Sequence, residues 1–75
     1  MQTLDTVQVN KEVVIKKVGG EYRIRHHLLD LGVTPGISVK VKKVAPLGDP
    51  IDLYIRGYEL TLRKSEANLI EVEEN

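Results

Sequence analysis

The chain has 75 residues, 11 Lys+Arg against 11 Asp+Glu, a formal net charge of zero and no cysteine. One domain over residues 1–75, with its core about 12–73, is the expectation for that length, and a chain so short buries only about 60–65% of the surface its unfolded form exposes. Zero net charge argues against a dedicated nucleic-acid binder, and the missing thiols exclude disulfides and thiolate metal ligands.

No run of about 18 apolar residues is present to insert in a membrane, and Met1–Asp5 lacks the charged and apolar regions of a signal peptide. The expected location is therefore the cytosol. Val7 and Val9 alternate with Gln8 and suggest a brief pairing at a sheet edge. Asn10 tolerates the left-handed region and suits a turn there. Glu12–Val18 reads as the first clear strand, with Val13 and Ile15 on one face, although Val14 disturbs the alternation.

Gly19-Gly20 breaks that strand, and Glu21–Leu31 reads as a helix of about three turns. At 100° per residue Ile24, Leu28 and Leu31 share the buried face. Leu29 falls near the solvent boundary, and Arg23, His26 and Asp30 lie opposite. Gly32 sits where a helix ends in the left-handed conformation. Thr34-Pro35-Gly36-Ile37 fits a type II turn, with Pro second and Gly third.

Ile37, Val39 and Val41 then alternate with Ser38, Lys40 and Lys42, as in a half-buried strand. Val44 breaks parity and predicts a bulge near Lys42-Lys43. Pro46-Leu47-Gly48-Asp49-Pro50 is a loop, since neither proline donates to a ladder. Ile51, Leu53 and Ile55 face Leu62, Leu60 and Tyr58 if Arg56-Gly57 is a two-residue turn, so turn and hydrophobic pattern agree on register. Ser65–Asn68 makes a single helical turn or bend. Leu69–Val72 is a closing strand, and Glu73-Glu74-Asn75 is expected to fray. About five short strands with one helix after the first predict a mainly β fold, a small bent antiparallel barrel closed on itself.

No catalytic constellation stands out. Ser38 and Ser65 have no His-acid pattern nearby, and Gly19-Gly20 lacks the Lys-Ser/Thr of a phosphate loop. The chain is read as a non-enzyme that requires no cofactor. Two histidines are present. His26 and His27 diverge by 100° on a helix, so they do not share an ion. His26 and Asp30, at i and i+4, form a weak candidate site for Fe²⁺ or another divalent ion, against the plainer reading of an exposed helical pair.

Arg25-His26-His27-Leu28-Leu29-Asp30-Leu31-Gly32-Val33-Thr34-Pro35-Gly36 resembles the R-x-x-L-L-x-L-G-[hydrophobic]-x-P-G signature of the FeoA family. Val41–Pro50 is similar to that family's strand and A-P-L-G-D-P loop. Arg56-Gly57-Tyr58 through Ala67 resembles its R-G-Y hairpin, and Ile70-Glu71-Val72 its closing strand. Val9-Asn10-Lys11 departs from the family's frequent Pro-Gly. The resemblance implies an SH3-like β-barrel with one α-helix between the first and second main strands. It also implies a cytoplasmic accessory protein of bacterial ferrous iron uptake that contacts the FeoB transporter and supports its assembly or regulation. The same barrel ends DtxR-type metal-responsive repressors, whose DNA-binding domain has no room here.

The candidate partner surface is Arg23, Arg25, Leu28, Leu29, Pro46, Leu47 and Asp49. Leu29 is the expected exposed anchor, ringed by Arg25, His26 and Asp30. The two prolines stiffen the loop and lower its ordering cost on binding. A second copy of the chain is a further partner, through a metal bridge by His26 and Asp30. Alternative functions are a transition-metal-binding module and a nucleic-acid-binding small barrel that would use Lys40, Lys42, Lys43, Tyr54 and Arg56; the zero net charge weighs against nucleic acid as a partner.

Overall fold

Alternating apolar residues dominate what forms. A computed structural model describes residues 2–74. The strands are β1 (Gln2–Thr3), β2 (Glu12–Val18), β3 (Ser38–Val44), β4 (Ile51–Ile55), β5 (Tyr58–Leu62) and β6 (Ile70–Glu74). The helices are α1 (Tyr22–Asp30) and the single turn α2 (Lys64–Ala67), with a 3-10 turn at Leu4–Thr6. All strand pairs are antiparallel, in the order β1-β6-β2-β3-β4-β5.

The sheet curls around one core in which Val13, Ile15, Val39, Val41, Leu53, Ile55 and Ile70 are each 1% exposed or less. Two bulges help it curl. Register shifts between Ile15 and Lys17 on β2, so Val18 rather than Lys17 turns inward. A second shift lies between Val41 and Lys43, where the parity of Val44 placed it. An extra residue bends and twists its strand, which a sheet of short strands needs to wrap a core.

The helix stop is built as the sequence suggests. Gly32 has φ +96°, Gly32 N donates to Leu29 O at 3.0 Å, and Val33 N donates to Leu28 O at 3.0 Å. Those two bonds make a Schellman motif, and its hydrophobic contact joins Leu28 to Val33, both 0% exposed. The type II turn follows, with Ile37 N on Thr34 O and φ +91° at Gly36. The hairpin register is Ile55↔Tyr58, Leu53↔Leu60 and Ile51↔Leu62.

Four expectations are corrected. First, among the described residues no ladder joins β5 to β1, so the sheet is curled but unclosed and keeps two edges. Second, Val7 is buried and Val9 lies in a turn with Asn10 (φ 72°), while Gln2–Thr3 pairs with β6 instead. The run is too short to turn and pair at once. Third, Glu73 and Glu74 do not fray. They ladder with Val14 and Val13, and Glu74 pairs with Lys11, whose ammonium holds the Glu74 carboxyl below its ordinary pKa. Asn75 lies outside the described residues. Fourth, Ile24 is 38% exposed, whereas Leu29 is half-buried and packs on the core. The helix touches the body through its last turn, so the buried stripe does not extend back to Ile24.

Candidate functional site

Among the described residues, the loop between β3 and β4 presents the most exposed large apolar side chain. Leu47 is 94% exposed, flanked by exposed Pro46 and half-buried Gly48. Its backbone is nevertheless tied. Gly48 N donates to Ala45 O at 2.7 Å, and Ala45 N donates to Pro50 O at 3.0 Å. The Asp49 carboxylate accepts Lys64 N at 2.9 Å and anchors the loop to the start of α2. A leucine held out on a braced loop loses little freedom when a partner covers it.

Helix α1 is the other exposed element. Every residue from Tyr22 to His27 is exposed, with Tyr22 at 67%. Arg23 and Arg25 present guanidinium groups there. The His26 ring lies 4.4 Å from that of Tyr22, tilted by 43°. At the far end, the Tyr58 hydroxyl donates to Leu31 O and links the helix to the hairpin. A Cβ on Gly32 would crowd that hydroxyl, and the φ of +96° there favours glycine in any case.

The expected contact residues therefore divide. Arg23 and Arg25 are exposed on α1, and Pro46, Leu47 and Asp49 on the loop. Leu28 is 0% exposed and serves the core, so it offers a partner nothing. Leu29 is not the free anchor expected of it. The loop adjoins the Ile51–Leu62 end of the hairpin, whereas the C-terminus of α1 reaches its Tyr58 end. The four residue steps from Tyr58 to Leu62 separate those ends by about 13 Å.

His26 and Asp30 are both exposed, one helical turn apart. Two donors leave most positions of a divalent ion to water. No group of three His, Cys, Asp or Glu side chains able to hold a metal gathers among the described residues. By themselves His26 and Asp30 offer two donors on one helix face.

Sequence reasoning passed over Tyr22, Ile24 and Tyr58 as exposed apolar groups; they are 67%, 38% and 42% exposed. Tyr22 beside the Gly19-Gly20 break, off the Leu28 face, was the legible signal. Tyr54, expected to point outward, is 45% exposed.

A family model, the FeoA domain, matches residues 2–74. The chain belongs to the FeoA family. That family is linked to ferrous iron transport. The Fe(2+) transport protein A/Fe(2+) transporter FeoB fusion protein of Porphyromonas gingivalis is 34% identical over 70 residues. The match takes in 93% of this chain and 8% of that relative's length.

The NMR structure of a FeoA-like protein from Clostridium acetobutylicum is 39% identical, with TM-score 0.89 over 96% of this chain and 84% of that one. FeoA of Stenotrophomonas maltophilia, crystallised with zinc and described as a prokaryotic SH3 domain protein, is 25% identical. Its TM-score is 0.86, over 97% of this chain and 91% of that one. The fold is thus SH3-like, as the resemblance implied. No helix of the described residues is long and apolar enough to cross a membrane.

Proposed function

We propose that this chain is a cytoplasmic accessory module of ferrous iron transport that docks by protein contact on the cytosolic, GTP-binding region of FeoB. By docking it supports the transporter's assembly or regulation. The observation that carries this reading is the fusion relative, in which a segment similar to 93% of this chain is joined to a FeoB transporter. Covalent joining raises effective concentration, which benefits two parts that act in contact. The surface fits a contact role, because its chemistry lies in exposed apolar and basic groups while every buried side chain among the described residues is apolar. No step is routed through a metal, and no catalytic role is assigned.

Leu47 is the anchor in this reading. Leu47→Asp, co-expressed with the FeoB of the same cell, is expected to reduce co-purification roughly tenfold or more, on the scale of burying one leucine. The thermal midpoint stays unchanged, since Leu47 is 94% exposed and packs on nothing. Wild-type chain that fails to co-purify overturns the docking proposal. Leu47→Asp that still co-purifies overturns the anchor and moves the contact to α1.

A further inference from the structure

The unclosed sheet leaves β5 as an edge with no strand beside it among the described residues. In a two-residue hairpin the residues flanking the turn form the first hydrogen-bonded pair, here Ile55 and Tyr58. Tyr58, Leu60 and Leu62 therefore turn their main-chain groups toward β4. Glu59 and Thr61 turn theirs outward. Among the described residues no main-chain hydrogen bond from beyond the β4 ladder reaches Tyr58–Leu62. Edges are usually blunted by proline, lysine, bulges or extreme shortness. The opposite edge, β1, has two residues. β5 has five, Tyr-Glu-Leu-Thr-Leu, with regular register, no proline or lysine, and a single charge, Glu59, that Lys42 already pairs.

We propose that β5 pairs antiparallel with β5 of a second copy of this chain, with Leu60 on the two-fold axis. A two-fold contact sets the same patch against itself, so the sequence must be self-complementary. In this register Glu59 opposes the partner's Thr61, and Thr61 opposes the partner's Glu59. These are the residues whose N–H and C=O point outward, so the two pairs exchange four main-chain hydrogen bonds. Leu60 meets the partner's Leu60 at the close, non-hydrogen-bonded position, and half-buried Leu60 is covered.

Neighbouring registers fare worse. Centring on Glu59 sets two carboxylates against each other. Centring on Thr61 requires the main chain of Arg63, which is already engaged. Arg63 N donates to the Glu66 carboxylate at 2.8 Å, and Arg63 O accepts from Glu66 N and Ala67 N. The formal net charge is zero, so no long-range repulsion keeps two copies apart. One strand's edge buries less than a standard interface, which makes the dimer transient.

Sedimentation equilibrium of the chain alone, in chelator, from about 10 µM to about 1 mM tests this, the upper range being where small interfaces populate. The mean mass is expected to rise from 8.4 kDa toward twice that value. Leu60→Lys puts two ammonium groups on the axis and is expected to raise the dissociation constant at least tenfold. Its amide spectrum reports whether it is folded. In wild type, the Glu59 and Thr61 amides gain protection from hydrogen exchange as concentration rises. A mass fixed at 8.4 kDa at the highest concentration overturns the proposal. So does a dimer that ignores Leu60→Lys while that variant is folded, or one that leaves the Glu59 and Thr61 amides unprotected.

Discussion

Arg56 holds φ +51° and Gly57 +87°, so both turn positions are left-handed, as a type I′ hairpin requires. Glycine takes that conformation freely. A long L side chain pays for it, because its Cβ crowds the following carbonyl. The hydrophobic pairs on β4 and β5 impose the register and hold Arg56 there. Arg56→Asn is therefore expected to stabilise the fold by roughly 0.5–1 kcal/mol, since Asn tolerates the region better. Thermal unfolding checks it, as a rise of about 2–8 °C for a chain this size. Gly32 shows the opposite case, a residue whose missing Cβ leaves room for both the helix stop and the Tyr58 hydroxyl.

Element by element, α1 is attached through its final turn. Leu28 and Val33 close the Schellman motif inside the core, while Tyr22–His27 stay exposed. Leu28→Ala is expected to cost about 2–5 kcal/mol, because a fully buried leucine leaves a cavity. Ile24→Ala is expected to stay within about 0.5 kcal/mol. Urea denaturation of both variants separates the two. A large cost at Ile24 would mean that the helix lies flat on the sheet. Helix phase put Ile24, Leu28 and Leu31 on one face; Leu28 is buried and Leu31 packs against the core, whereas Ile24 is exposed. What phase lacks is the tilt of the axis, which depends on where β2 and β3 meet the helix ends. That tilt, not the spacing, exposes Ile24 and half-buries Leu29.

On the scale of the whole molecule, one apolar core is shared by strands β2 to β6, and the extents are 29 × 26 × 25 Å. Stability follows how deep an element sits in the sheet order. The amides of Val13, Ile15, Val41 and Leu53 are expected to exchange slowest, through near-global unfolding, and those of Arg25–His27 much faster. Native-state hydrogen exchange measures this, and equal protection along α1 and β3 would refute it. The outer face adds little. Lys42 meets Glu59 at 3.1 Å, an exposed pair of the kind usually worth under about 1 kcal/mol.

The sequence by itself determined the strands between Glu12 and Leu62, the bulge at Lys42-Lys43, the two turns, the helix stop and the hairpin register. Each of these is set by neighbours within a few residues: alternation, a proline, a glycine, a two-residue turn. Its motifs also pointed to the FeoA family. Only the tertiary structure decided that the sheet stays open, that Glu73 and Glu74 join it, that Leu29 is half-buried, and that Leu47 stands out on a braced loop. Those outcomes depend on how far the sheet curls and which segments cover one another, and such distances are set by packing between residues far apart in the chain.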